Sequence, residues 1–269
     1  MTVAAENLHP AGRAFDAIAK VYDSLFTTSL IGRSQRAAVW RKAETVFRPG
    51  DRVLELNCGT GEDALFLARR GVAVYACDAS GEMIAQARAR KAIEAPSAEV
   101  EFNVLCTESL ENLSGECFDG IFSNFSGLNC VENLARTARE LAMLVHPGSQ
   151  LLFCLSTRFC VWETLHYLLR GEVRKCFRRL SGIAQSSLGG YPVTIYYPTL
   201  GSVLKSFRPT FQLRSVTGIG VAVPPSYLEA WAQRNEYTFH LCEAADRVLC
   251  HTPGVRVLGD HMLLHLERA

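Results

Sequence analysis

The chain has 269 residues, of which 48% are hydrophobic and 20% charged, and its formal net charge is +1. This composition is ordinary for a globular protein in water, and the length suits one large domain or a domain with an insertion. The near-zero net charge argues against a surface dedicated to nucleic acid or to anionic membranes and leaves a local charged patch as the alternative.

Neither a membrane span nor a disulfide framework is predicted. The sequence contains no run of about 18 apolar residues, and its start lacks the regions of a secretory signal. The ten cysteines form no C-x-x-C pair and no zinc-finger spacing. We therefore expect a cytoplasmic protein with reduced thiols, no bound metal and no membrane partner. The sequence gives no indication of the oligomeric state.

The first 48 residues are predicted to form a helical cap. Aromatic and small side chains recur at helical spacing between Phe15 and Phe26, which predicts a helix over Ala14–Phe26. A second helix is predicted over Ser34–Val46, and Pro49-Gly50 ends it.

Strands and helices then alternate along the chain. The strand candidates are Arg52–Asn57, Ala73–Cys77, Val100–Cys106, Phe118–Asn124 and Gln150–Ser156. The helix candidates between them are Glu62–Arg70, Ser80–Lys91 and Glu132–Val145. Short strands that alternate with helices of this length predict a parallel sheet with helices on both faces.

This pattern is interrupted after Ser156 by an insertion over residues 158–198. Two short helices, Trp162–Leu169 and Val173–Leu180, are predicted there, followed by a Ser/Gly-rich loop over Ser181–Gly190 and a β-branched run over Val193–Tyr197. The alternation then resumes. The remaining predictions are helices Thr199–Phe207, Ser226–Asn235 and Phe239–His251, and strands Phe211–Ile219 and Val257–Leu266. Residues 1–269 are expected to form a single domain.

The stretch from Val53 to Gly61 carries the first indication of function. It is a short apolar strand that ends in a glycine-rich bend and leads into a helix. Gly59 and Gly61 have no side chains to keep a nucleotide-like ligand away from the backbone. The same residues, with Ala64, also satisfy the dinucleotide fingerprint, so a nicotinamide or flavin enzyme is an alternative.

Two acidic features distinguish these alternatives. Asp78 ends the second strand, where a carboxylate can accept hydrogen bonds from both ribose hydroxyls of an adenosine. Glu62 and Asp63 begin the helix after the bend, where they would repel a pyrophosphate. A phosphate-free ligand that carries a positive sulfonium meets no such repulsion, and S-adenosylmethionine therefore fits better.

An ordered set of motifs resembles the class I S-adenosylmethionine-dependent methyltransferases that act on small molecules. Glu55-Leu-Asn-Cys-Gly-Thr-Gly61 resembles their first motif, and Asp78-Ala-Ser-Gly-Glu-Met83 resembles the segment that follows it. Phe118-Asp-Gly-Ile-Phe-Ser-Asn124-Phe125 is similar to the fourth-strand motif. His146-Pro147-Gly148 resembles the turn before the fifth strand, and Phe15-Asp16 with Tyr22-Asp23 resembles the capping helix.

The resemblance implies a Rossmann-like α/β fold. Its sheet would have seven mostly parallel strands with the last one antiparallel, and a helical lid would follow the fifth strand. The implied function is methyl transfer from S-adenosyl-L-methionine to an oxygen, nitrogen or sulfur of a small molecule, with S-adenosyl-L-homocysteine as product. An NAD(P)-dependent oxidoreductase and a non-catalytic S-adenosylmethionine-binding protein are the alternatives.

The resemblance also implies the cofactor-binding residues. They are Tyr22, Glu55, Asn57, Cys58, Gly59, Thr60, Gly61, Asp78, Ala79, Met83, Thr107, Glu108, Asn124 and Phe125. Asp78 would bind the ribose, Ala79 and Met83 the adenine ring, and Thr107 or Glu108 its amine. Asn124 and Phe125 would lie beside the methyl group.

The acceptor is expected to bind beneath the insertion, where His166, Tyr191 and Tyr196 are the candidate general bases. The basic run from Arg170 to Arg179 is interpreted as a solvated helix face. His261 and His265 have no third ligand at metal-binding spacing and are interpreted as structural.

Overall fold

The computed structural model describes residues 9–269, so the first eight residues of the predicted cap lie outside the described residues. The described part contains a seven-stranded sheet in the order β3-β2-β1-β4-β5-β9-β8 and a separate hairpin of β6 and β7. The strands are β1 (Arg52–Leu56), β2 (Ala73–Asp78), β3 (Val100–Val104), β4 (Phe118–Ser123), β5 (Val145–Ser156), β6 (Ile183–Leu188), β7 (Tyr191–Tyr196), β8 (Phe211–Ile219) and β9 (His261–Arg268).

The directions of the strands confirm the predicted sheet. Strands β1 to β5 pair in parallel, whereas β9 runs antiparallel to both β5 and β8. Because β9 is reversed, its first residue, His261, lies at the same edge of the sheet as the last residues of β1 to β5. This edge is where open α/β sheets bind their ligands.

Helices pack on both faces of the sheet, as the alternating pattern predicts. They are α1 (Pro10–Asp16), α2 (Ala19–Tyr22), α3 (Leu30–Val46), α4 (Glu62–Ala68), α5 (Gly81–Glu94), α6 (Leu134–Met143), α7 (Val161–Leu169), α8 (Val173–Cys176), α9 (Leu200–Phe207), α10 (Glu229–Arg234) and α11 (Glu236–Leu249). Among residues 9–269, no helix has the length and apolar character needed to cross a bilayer.

Alternation along β1 divides the core into two layers. Leu54 and Leu56 join the apolar cluster beneath α6 and α9, whereas Val53 joins the cluster beneath α3, α4 and α5. Successive side chains of a strand point to opposite faces, so Glu55 lies on the same face as Val53. The Glu55 carboxylate is therefore buried between the sheet and helices α3 and α4, and the residue is only 1% exposed.

Three segments differ clearly from the sequence-based expectation. The helix predicted over Val173–Leu180 is reduced to α8, and a 3-10 turn follows over Arg178–Ser181. The helix predicted over Ala14–Phe26 is divided into α1, α2 and a π-helical turn over Asp23–Thr27. The prediction of a loop over Ser181–Gly190 is wrong, because this segment contains β6, which pairs with β7. Gly189 and Gly190, with φ of 57° and 85°, make the turn between the two strands. Consecutive positive φ values are typical of tight hairpins, so the insertion is a helix pair followed by a hairpin.

A buried carboxylate joins the cap to the sheet. Asp63, at the start of α4, accepts hydrogen bonds from Arg36 Nη1, from Trp40 Nε1 at 2.6 Å and from Asn124 Nδ2 at 3.0 Å. Arg36 and Trp40 belong to α3, and Asn124 follows β4. One side chain therefore fixes the positions of three elements around the carboxyl end of the sheet.

We expect the substitution Asp63→Asn to lower the free energy of unfolding by about 3–5 kcal/mol, because it leaves the buried Arg36 guanidinium without its counter-charge. Urea unfolding followed by circular dichroism measures this loss. Glu44→Gln is the matched control, since Glu44 pairs with Arg70 on the surface and should contribute less than about 1 kcal/mol. Equal losses in the two variants would contradict the assignment.

Candidate active site

A cavity of about 450 Å³ opens at the carboxyl edge of the sheet. Its floor consists of residues that follow β1, β2 and β4, and α1 and α2 cover one side. Residues from the insertion, from the 225–227 segment and from the start of β9 enclose the other side. The volume lies within the range of sites for small molecules and cofactors.

The bend after β1 brings bare backbone to the cavity. Asn57, Gly59 and Gly61 have φ values of 56°, 54° and 78°, a region that glycine adopts without strain. A methyl group added to Gly59 would meet nothing nearer than the Tyr22 ring at 3.9 Å, so Gly59 lies against open space. One added to Gly61 would lie 2.7 Å from Phe102, so Gly61 is needed for close packing.

Asp78 supports this bend and also faces the cavity. Its Oδ2 accepts from the Gly59 amide at 2.9 Å, and its Oδ1 accepts from the Ser80 amide at 2.8 Å. Burial disfavours the charged form and raises the pKa of Asp78 to about 6, although the two amides act in the opposite direction. The carboxylate oxygens retain lone pairs for hydroxyl donors in the cavity.

Glu55 is a second buried carboxylate at the bend. Its Oε2 has no hydrogen-bond partner among the described residues. Burial raises the pKa of Glu55 well above its ordinary value, and the nearby Asp63 acts in the same direction. A buried acidic group without a partner favours a hydrogen-bond donor or a cation beside it.

The turn after β4 provides the next part of the wall. The Asn124 Oδ1 accepts from the amide of Phe125 at 2.9 Å, and Phe125 adopts a φ of 43°. This strained backbone turns the Phe125 ring between Phe26 and His261, with centroids 4.8 Å and 5.6 Å away. An aromatic wall therefore separates the polar floor from the side of the cavity beneath the insertion.

Ten of the fourteen predicted cofactor residues line the cavity. They are Tyr22, Asn57, Gly59, Asp78, Ala79, Met83, Thr107, Glu108, Asn124 and Phe125. The other four, Glu55, Cys58, Thr60 and Gly61, are buried at the bend outside the cavity wall. The Thr60 hydroxyl donates to Asp23 at 2.7 Å, which ties the bend to the cap.

The structure places the three candidate bases away from the cavity wall. His166 packs against Tyr167 and Tyr227, with centroids 5.3 Å and 5.1 Å away. Tyr191 is exposed in the hairpin, and Tyr196 lies beside a separate groove near α6. None of these three described side chains is among the residues that line the cavity.

His261, interpreted from the sequence as structural, lies in the cavity wall instead. The residue is 8% exposed, and its Nδ1 lies 3.5 Å from Asp260 Oδ2. Burial lowers the pKa of His261 despite the neighbouring Asp260, so the ring is neutral near pH 7. Nε2 forms no hydrogen bond with a described residue. No sequence signal identified this histidine, because the reversal of β9 places it at the site.

The basic run of the insertion is only partly solvated. Arg179 is buried and donates to Glu163 at 2.7 Å and to Asp260 at 2.8 Å, while Arg178 forms a two-bond pair with Glu163. Both arginines line the cavity. Although burial acts in the opposite direction, His261 and Arg179 hold the pKa of Asp260 below its ordinary range. The prediction of a solvated face therefore fails at Arg178 and Arg179, because each has a buried carboxylate partner.

The acidic pair at the start of α4 also has partners. Asp63 binds Arg36, and Glu62 binds Arg90 at 2.6 Å. Neither carboxylate lines the cavity, so their charges do not act directly on a ligand at the bend. The acidic residues that line the cavity are Asp78, Glu108 and Asp260.

The fold and the site define a class I methyltransferase architecture, and comparisons with known proteins agree. A family model described as "Methyltransferase domain" matches residues 53–148. Residues 53–148 are therefore similar to a methyltransferase domain. The cofactor that this similarity implies is S-adenosyl-L-methionine, with S-adenosyl-L-homocysteine as product.

Relatives of known name match about half of the chain. A demethylmenaquinone methyltransferase of Mycobacterium sp. (strain KMS) is 30% identical over 152 residues, which cover 55% of this chain and 60% of the relative. A 2-phytyl-1,4-naphtoquinone methyltransferase of Trichormus variabilis is 32% identical over 145 residues, which cover 51% of this chain and 60% of the relative. The chain thus spans about 60% of the length of these relatives.

Solved structures share the fold at low sequence identity. A Listeria monocytogenes structure described as a putative S-adenosylmethionine-dependent methyltransferase superposes with a TM-score of 0.60 at 14% identity, over 87% of this chain and 99% of that one. The cyclopropane synthase MmaA2 of Mycobacterium tuberculosis superposes with a TM-score of 0.62 at 15% identity, over 98% of this chain and 100% of that one.

Proposed function

We propose that this protein transfers a methyl group from S-adenosylmethionine to a hydroxyl group of an apolar, aromatic small molecule. The observation that carries the proposal is a single cavity with two different halves. Backbone and the Asp78 carboxylate form one half, and the other half combines aromatic and aliphatic side chains with the neutral His261 and the paired charges of Arg178, Arg179 and Asp260. A reaction between a polar cofactor and an apolar acceptor needs such a cavity.

The residues present fit the cofactor. Asp78 offers carboxylate lone pairs to ribose hydroxyls, and Gly59 leaves room for the ligand to approach the backbone. Ala79 and Met83 provide apolar contact for the adenine, with Glu108 and Thr107 at its edge. The buried Glu55 lies at the bend outside the cavity wall, where it would support the bend from below. When bound, S-adenosylmethionine supplies an activated methyl group on a sulfonium.

The cap and the insertion exclude water from the reacting groups. Tyr22 and Phe26 of the cap lie on one side of the cavity, and Leu188, Val193 and Ile195 of the hairpin lie on another. We propose that residues 1–48 act as the cap and 158–198 as the lid of a single domain. Alignment and exclusion of water contribute a large part of the rate of a displacement reaction of this kind.

The acceptor class follows from the chemistry of the lid side. Burial and the pairing of both arginines leave the wall near His261 without an unpaired charge, which favours an uncharged acceptor. The relatives bear the names of demethylmenaquinone and 2-phytyl-1,4-naphtoquinone methyltransferases. These names support an apolar aromatic acceptor for this chain.

We assign His261 as the general base of the reaction. Nε2 would take up the proton of the acceptor hydroxyl and so leave the oxygen free to accept the methyl group that bound S-adenosylmethionine would supply. Asp260 faces Nδ1 and stabilises the imidazolium that results. Arg179 holds Asp260 in place, so it is a positioning residue.

The expected cytoplasmic location remains part of the proposal. All ten cysteines lie within the described residues as free thiols, and Cys117 is exposed. Free thiols are usual for proteins in a reducing compartment.

Calorimetry and a transfer assay test the function. We expect S-adenosylhomocysteine to bind more tightly than NAD(H), since the cavity has no unpaired basic side chain among its described lining residues for a pyrophosphate. Labelled S-adenosylmethionine should then methylate naphthols and reduced naphthoquinones faster than amines or thiols. Preference for NAD(H) would support the oxidoreductase, and tight binding without transfer to any acceptor would support a non-catalytic protein.

Acidification is expected to weaken S-adenosylhomocysteine binding through Asp78. The ionised carboxylate accepts from the ribose, and the free protein protonates it below its pKa of about 6. Affinity should therefore fall roughly tenfold between pH 7 and pH 5. Asp78→Asn should bind about 1–3 kcal/mol more weakly at pH 7.5 and should lose this part of the pH dependence. An unchanged pH profile in Asp78→Asn would contradict the ribose assignment.

The substitution His261→Asn should lower kcat for the best hydroxyl acceptor by about 10²–10⁴-fold, because a positioned base is removed. Its affinity for S-adenosylhomocysteine should stay within about twofold. His265→Asn is the matched control, since His265 lies on the same face of β9 but bonds Gln150 outside the cavity. A nitro-substituted naphthol that is ionised at the assay pH should react almost equally with both variants. A similar loss with that acceptor would contradict the role of His261 as base.

A further inference from the structure

Helix α7 of the insertion exposes an apolar stripe to solvent. Val161, Leu165, Leu168 and Leu169 follow one another at steps of four, three and one residues, which places them on one side of the helix. All four are exposed, and Leu168 and Leu169 are 56% and 79% exposed. These four exposed residues therefore form one continuous apolar stripe along a single face of α7.

The opposite side of α7 carries its buried charge. Glu163 is 2% exposed and binds Arg178 and Arg179. A helix on a water-facing surface normally shows the reverse arrangement, with apolar residues inside and charged residues outside. The polarity of α7 thus suits an apolar environment on its outer side.

The apolar surface continues beyond α7. The next segment adds Val173, Phe177, Leu180 and Ile183, each of which is exposed. Together with the stripe of α7, these four residues form what we call the lid patch, and α7 packs against α8 within it. Single exposed apolar residues are normal in proteins, whereas a cluster of this size marks a binding surface.

The charges beside the lid patch indicate what it binds. Residues 158–198 contain six Arg or Lys and two Glu, whereas the rest of the chain has more acidic than basic residues. Arg170, Arg174 and Lys175 are exposed next to the patch. Apolar side chains flanked by basic ones are the combination that binds the surface of an anionic bilayer.

We propose that the lid patch docks the protein on the surface of an anionic lipid membrane. The eight apolar side chains would enter the boundary between headgroups and acyl chains, while Arg170, Arg174 and Lys175 contact the headgroups. A second copy of the chain fits less well. A two-fold interface would place the same basic residues of both lids against each other.

Docking at this surface would also bring the cavity to the membrane. The hairpin that lines the cavity with Leu188, Val193 and Ile195 belongs to the same insertion as the lid patch. An apolar acceptor dissolved in the bilayer would then enter beneath the lid without crossing water. This consequence rests on the proposed function, whereas the docking itself does not.

Vesicle flotation of the full-length protein tests the docking. We expect at least roughly tenfold more protein bound to vesicles of phosphatidylcholine mixed equally with phosphatidylglycerol than to phosphatidylcholine alone. The double substitution Leu168→Glu/Leu169→Glu should lower the bound fraction on anionic vesicles at least tenfold. Arg170→Gln/Arg174→Gln should lower binding to the mixed vesicles and remove the preference for them over phosphatidylcholine alone.

The matched control is Ile93→Glu/Met143→Glu, which replaces two apolar residues outside the lid that are 83% and 73% exposed. It should float like the original protein. All variants should keep their affinity for S-adenosylhomocysteine, which separates this test from failure of the proposed function. Absence of flotation, or equal loss in the control, would overturn the proposal. A dimer in sedimentation that the lid variant dissociates, with no flotation, would instead assign the patch to a second copy.

Discussion

The arrangement of the site depends on the buried ion pair between Asp63 and Arg36. Asp63 also accepts from Trp40 and Asn124, so the helix after the bend, the long cap helix and the turn after β4 share one anchor. The Arg36 guanidinium in turn lies over the Phe125 ring at 5.0 Å. A buried charge tolerates little displacement of its partner. The ion pair therefore fixes the distance between the bend after β1, which forms part of the cavity floor, and the Phe125 ring, which forms the aromatic wall.

A second charged cluster performs the same task on the lid side. Glu163, Arg179 and Asp260 connect the insertion to the loop before β9, and Asp260 in turn faces His261. Burial keeps this histidine uncharged, although the Asp260 carboxylate favours the charged ring. The two clusters together place the polar and apolar halves of the cavity opposite each other.

The insertion has two surfaces with different surroundings. Its inner surface consists of hairpin side chains that line the cavity, and its outer surface is the lid patch. The buried salt bridges of Glu163, together with the packing of Trp162 against Trp231, hold the inner side of α7 in place while its leucines face outward. The lid therefore combines a closed site with an apolar exterior.

The sequence by itself determined the cofactor half of this protein. Strand and helix periodicity, Gly59, Gly61 and Asp78 are local features, and the chemistry of a bend follows from residues adjacent in the chain. The β6 strand escaped prediction because its serines resemble a loop until β7 pairs with it.

Only the tertiary structure decided the acceptor half. His261 reaches the cavity because β9 is reversed, and Asp260 and Arg179 are 81 residues apart in sequence. The expected bases, His166, Tyr191 and Tyr196, lie outside the cavity wall, in a segment whose sequence does not show which side faces inward. Contacts between segments that are distant in the sequence depend on tertiary packing, so the local pattern of residues along the chain does not predict them.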